Sequence, residues 1–156
     1  MSGLLVLQLS TEPCREEDLI SFDALSEDEL YNMRTDYDNE PRSLEEVKRW
    51  VQDEFGPFAS VDAEKRTVTF HDRKTVRRAW KRALLGCLRR FLREIRKGKT
   101  VMGEYHLRRG VAEPFDFRNL LYYDGYCHNA STLVAEYLEG AMPRTLYIGS
   151  VLEGHC

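Results

Sequence analysis

One stretch constrains this chain more than any other: residues 73–99, RKTVRRAWKRALLGCLRRFLREIRKGK. It holds eight Arg and four Lys against a single acid, Glu94, in a chain whose net charge is −3. It contains no Pro, Asp72 stands where a helix N-cap belongs, and Gly98 stands where a helix ends. The pattern predicts one helix over 73–97, about 37 Å long at 1.5 Å per residue. Val76, Ala79, Trp80, Ala83, Leu84, Cys87, Leu88, Phe91 and Ile95 recur at helical spacing and predict an apolar face. Arg78, Arg82, Arg89, Arg93 and Arg96 fall on the opposite face. Trp80, Leu84, Cys87, Leu88 and Phe91 are expected at the centre of the core. An element this long must have other structure packed along it, so the remaining segments are read by how they could cover it.

The charge is segregated along the chain. Residues 1–72 carry a net −11, residues 73–109 a net +12, and residues 110–156 a net −4. Two explanations compete for the basic face: neutralisation by the acidic first half, or contact with a partner.

At 156 residues the chain suits one globular domain over 1–156. A hydrophobic content of 42% with 31% charged residues is that of a folded protein rather than a disordered one. GLLVLQL, 3–9, is apolar without alternation and reads as a strand buried on both faces. Ser26 and Glu29 form a capping box, with Leu25 and Leu30 placed as a staple, and predict a short helix to Arg34. TDYDNEPR, 35–42, reads as a polar loop. Ser43 and Glu46 form a second capping box before Leu44, Val47, Val51 and Phe55, and Gly56-Pro57 stops that helix. Residues 58–72 read as a hairpin through alternation at Thr67-Val68-Thr69-Phe70. Residues 104–126, broken by Gly110, Pro114 and Gly125, read as irregular with one helical turn near 117–122. Asn129 caps a helix to Glu139, closed by Gly140 and Pro143, and 144–152 is a final strand in the same sheet as the first. The expected fold is α+β: a mainly antiparallel sheet of about four strands, helices packed on one face, and one long basic amphipathic helix.

Motifs for chemistry are scarce. Cys127-His128 and His155-Cys156 form a mirrored pair of zinc-type ligands, but ligands within such a pair normally stand two to four residues apart. Cys127 would need a base within reach to act as a nucleophile, and His71, His106 and His155 are the residues to supply one. Asp36, Asp38 and Glu40 begin like a calcium loop, which then fails at Pro41 and Val47. Glu46 and Lys48 have the spacing of a nuclease pair but fall on a predicted helix. There is no phosphate-binding glycine loop, nucleophile elbow or zinc-protease helix. No cofactor and no metal are expected, and the reading leans away from an enzyme.

The functional expectation is therefore a non-enzymatic interaction or regulatory protein whose partner is another protein. The alternative is nucleic-acid binding through the basic face of 73–97, since Arg binds phosphate bidentately and nearby aromatics can stack bases. A second alternative is an enzyme with an unrecognised Cys/His site. The candidate binding residues are Arg78, Arg82, Arg89, Arg93, Arg96, Arg108 and Arg109. No apolar run is long enough for a bilayer and no basic leader precedes residues 3–9, so no membrane contact and a cytoplasmic location with reduced cysteines are expected. The oligomeric state is left open.

Overall fold

A computed structural model describes residues 3–21, 25, 36–38, 44–112 and 120–155. Its framework is a seven-stranded mixed sheet. In chain order the elements are β1 (Gly3–Ser10), β2 (Asp36–Asp38), α1 (Leu44–Phe55), β3 (Ala59–Asp62), β4 (Thr67–Phe70), α2 (Arg73–Arg96) and α3 (Thr100–Ala112). There follow β5 (Leu120–Tyr123), β6 (Tyr126–Asn129), α4 (Ala130–Glu139) and β7 (Thr145–His155), with one 3-10 turn at Glu16–Asp18. Six strands run in the order β3-β4-β7-β1-β5-β6. β2 pairs with the far end of β7: Asp36 lies opposite His155, whereas β4 uses Thr145 to Tyr147. The eleven residues of β7 are enough to carry two short partners along one edge. Every pairing is antiparallel except β1 with β5.

β1 and β7 lie side by side at the centre of the sheet, the place that the lack of alternation in 3–9 implied for β1. Their ladder is interrupted once. Leu7 faces Val151 but Leu9 faces Ile148, so β7 holds an extra residue opposite Gln8. The Gln8 amide fills that irregularity. Its Oε1 accepts from Ser150 N at 3.0 Å and from Ile20 N at 3.2 Å, and its Nε2 donates to the Asp18 carbonyl at 2.7 Å. The bulge thereby fastens residues 18–20 across the sheet. A side chain at Gly149 would collide with this amide.

The core divides by sheet face. On one face α1, α2 and α4 bury Val47, Phe55, Val76, Leu133 and Tyr137 against Leu7, Phe70, Leu121 and Leu146. On the other, Val6 and Leu152 meet Leu25, with Ile20, Tyr122 and Cys127 packed around them. The α+β class and the helices on one face agree with the sequence.

Four expectations are corrected. The sheet has seven strands rather than about four, and one pairing is parallel. Part of the expected polar loop is strand β2, because Asp36–Asp38 can pair with the exposed edge of β7. The expected irregular region holds α3 and the β5–β6 hairpin, whose turn at Asp124-Gly125 has positive φ at both residues (53° and 85°). Such a turn matches the twist of the strands it joins. Finally, the core does not centre on Trp80, Leu84, Cys87, Leu88 and Phe91: the largest fully enclosed side chains include Phe70, Leu7, Leu133 and Leu146. The predicted helix at 26–34 and the Ser43 cap lie outside the described residues.

Candidate interaction surface

α2 is fixed at both ends. Asp72 accepts from Thr75 N at 3.0 Å and from Thr75 Oγ1 at 2.6 Å, which supplies the first turn with an acceptor. Those two bonds, the hydroxyl first, hold the Asp72 carboxyl below its ordinary pKa. At the other end Gly98 takes a φ of 74°, and the Lys99 amide bonds back to the Glu94 carbonyl. The chain then reverses into α3. Gly103 makes the close approach: a Cβ there would stand 2.9 Å from Ile95 Cδ1 and 3.4 Å from Phe91 Cδ2. α2 and α3 therefore form an antiparallel helical hairpin.

Only the first half of α2 belongs to the main core. Val76 is buried there, and Ala79 and Trp80 pack against it. Beyond Trp80, no α2 residue joins either buried cluster among the described residues, although Cys87 is itself buried. Leu84 and Phe91 are half-buried. Four further apolar residues are open to solvent: Leu85 at 51%, Leu88 at 45%, Leu92 at 49% and Ile95 at 36%. On α3, Val101, Met102 and Tyr105 are exposed as well.

The basic stripe lies beside this apolar one. Arg78, Arg82, Arg89, Arg93 and Arg96 are all exposed, and none makes an ion pair among the described residues. The one acid on α2, Glu94, is taken by Lys97 at 3.6 Å. Arg90 donates to Cys87 Sγ at 3.4 Å, and Arg73 sits over the Tyr137 ring at 5.7 Å. Arg108 is bonded to Glu104 at 2.6 Å on the same helix turn, so its charge is partly met. Arg109 lies on α3, and its side chain is outside the described residues, as are the acids Glu27, Asp28, Glu29 and Glu40.

The β6 pair Cys127-His128 does not meet His155, and Cys156 lies outside the described residues. β6 and β7 are separated by β1 and β5, about 14 Å at the usual strand spacing. Cys127 stands beside Tyr122, which stands beside Gln8, whereas His155 stands beside Gly3. That adds roughly 16 Å along the strands. Strand alternation turns Cys127 and His128 to opposite faces, and the His128 ring bonds the Tyr123 carbonyl at 3.0 Å. His71 Nε2 donates to the Gly56 carbonyl at 2.8 Å, a structural tie between α1 and the start of α2. Among the described residues no three His, Cys, Asp or Glu side chains cluster as metal ligands.

Two depressions are lined by described residues alone. One, of about 720 Å³, is lined by Gln8, Ser10, Cys14, Arg15 and Asp18; burial, and then Asp18, push the Cys14 thiol upward. The other, of about 690 Å³, runs over Ser60, Asp62, Thr67, Thr69, Thr145 and Tyr147. The first places the Cys14 thiol near Asp18, but the shift is upward, away from the thiolate a nucleophile needs. Among the described residues no helix is long and apolar enough to cross a membrane.

No family model, no curated protein and no solved structure matches this chain.

Sequence reasoning placed the five arginines on one face but missed Leu85 and Leu92. The signal was present: 85, 88, 92 and 95 step by three, four and three, the spacing of a helix-pairing seam.

Proposed function

We propose that this chain is a single-domain, non-enzymatic interaction protein of the cytoplasm, and that it binds another protein along α2. The observation that carries the reading is the juxtaposition of Leu85, Leu88 and Leu92, each about half exposed, with five arginines that have no ion-pair partner among the described residues. Protein interfaces combine an apolar centre with Arg at its margin. A phosphate backbone would engage the arginines but leave the leucines wet. Nucleic-acid binding is the second reading, favoured by five arginines on a face of α2 that carries no acid.

A photo-crosslinking residue in place of Leu85 tests this in cell extract. Protein adducts that survive nuclease treatment and disappear when Arg82 and Arg89 are both changed to Glu are the expected result. Adducts to RNA or DNA, weakening steeply with salt, would transfer the function to nucleic acid. Loss of thermal stability in the doubly reversed variant, with no change in crosslinking, would make the stripe a structural feature.

A further inference from the structure

The chemistry of the partner follows from how the exposed residues of α2 are arranged. Leu85, Leu88, Leu92 and Ile95 occupy alternating first and fourth heptad positions, and they span about 15 Å of helix at 1.5 Å per residue. In that register Arg89 and Arg96 each follow a fourth-position residue, where interhelical charge pairs form. Leu84 and Phe91 occupy the opposite flank, which is closed by α3 through the contact of Phe91 and Ile95 with Gly103. The seam therefore has a cationic border on one side and a wall of helix on the other. Towards the helix start the same heptad positions are filled by Arg78 and Lys81, which ends the apolar seam after two repeats.

We propose that this seam receives one short, acidic amphipathic helix. Such a helix sets Leu- or Ile-type residues against Leu85, Leu88, Leu92 and Ile95, and sets carboxylates against Arg89 and Arg96. The proposal rests on the protein-binding reading above and specifies its partner. Charge selects this occupant. A second copy of the chain would bring Arg89 and Arg96 against a surface whose surrounding segment carries a net +12. An anionic bilayer calls for cations on both borders of an apolar face, and here α3 stands on one of them. A carboxylate meets Arg in bidentate geometry, and a single row of four apolar side chains bounded on one side by α3 suits a rod rather than a plane.

The probe is a synthetic three-heptad peptide with Leu at its seam positions and Glu at both flanking positions, so that its own copies repel one another. Titrated into the full chain, it is expected to gain helicity by circular dichroism and to release heat in calorimetry, with affinity falling as salt rises. The same peptide with Lys for Glu is expected not to bind. Leu88→Glu with Leu92→Glu should weaken binding at least roughly tenfold. Arg89→Glu with Arg96→Glu should exchange the preference, binding the Lys peptide and losing the Glu peptide. All four side chains are exposed, so thermal melts of the variants should match the wild type. Binding of both peptides equally, or of neither, overturns the proposal. So do binding to phosphatidylserine–phosphatidylcholine vesicles in place of the peptide, and a dimer that Leu88→Glu converts to a monomer. Failure here with protein crosslinks still formed at position 85 leaves the protein-binding reading in place, and loss of both removes it.

Discussion

Removing a single oxygen tests how α2 is anchored to the body of the protein. Tyr137 on α4 is almost wholly enclosed, its ring stacks on Phe70 at 4.6 Å and 19°, and its hydroxyl donates to the His71 carbonyl at 2.7 Å. His71 immediately precedes the Asp72 cap, so this bond fixes the entry of α2. Tyr137→Phe keeps the ring, the stack and the cavity volume, and deletes only the donor. The His71 amide has its own acceptor in the Phe58 carbonyl, which leaves one carbonyl orphaned. An unpaired buried acceptor costs about 1–3 kcal/mol, and because His71 is only half-buried water offsets part of that. The expected loss is about 1–2 kcal/mol. For a chain of this size that lowers the melting midpoint by about 2–8 °C. Urea unfolding followed by circular dichroism should show an earlier midpoint with an unchanged slope. Amide exchange at Thr75 and Val76 should quicken while that of α1 does not. A loss under about 0.5 kcal/mol would refute the argument, since it would mean that the hydroxyl is not fastening the junction.

Leu133→Ala, in the enclosed cluster, should cost about 2–5 kcal/mol, whereas Leu88→Ala on the open part of α2 should stay within about 0.5 kcal/mol; equal losses in urea unfolding would place Leu88 in a core. Trp80→Ala, at the margin of that core, should fall below the ~3–5 kcal/mol of an enclosed aromatic, measured the same way. Asp72 has a folded pKa below its ordinary 3.8, so its contribution to stability is complete above that value and disappears as pH falls beneath it. The protection of the Thr75 amide, the slowing of its exchange relative to the intrinsic rate at the same pH, should therefore fall as the pH is lowered through and below 3.8, and should be low at every pH in Asp72→Ala. Gly149→Ala forces a Cβ into the Gln8 amide and to 3.0 Å from Cys14 Sγ, at a cost of about 1–3 kcal/mol in thermal unfolding.

How much of this could be read beforehand depended on whether local chemistry or distant packing decides an element. The limits of α2 were legible because a cap and a terminating glycine are local devices, and so was α4, which Gly140 closes at a φ of 82°. That the two terminal strands share one sheet was legible because such apolar strands have few places to go, but that they pair directly was not. α3 was hidden because its two glycines and mixed aromatics give it little periodicity; Gly103 is there for the approach of Ile95 across the turn at Gly98. The β5–β6 hairpin was overlooked despite Asp124-Gly125 between Tyr122-Tyr123 and Tyr126, a turn signal that is legible in the sequence. At the candidate surface the arginines were found and the leucines beside them were not. An apolar residue on a helix is assigned to the core by default, and only the position of α3 shows which of α2's apolar residues the core cannot reach.

The pairing of β1 with β7 also governs when the molecule can become itself. Leu4 lies against Gly154 and Ser10 against Tyr147, so nearly the whole chain must be traversed before the middle of the sheet closes. β1 finds both of its neighbours late, β5 from residue 120 and β7 from residue 145. Contacts of such long range are entropically expensive to form and slow to assemble. A nascent chain emerging in order carries β1 as an apolar strand with two unsatisfied edges until those segments arrive, and it is in that interval that the protein is most exposed to aggregation.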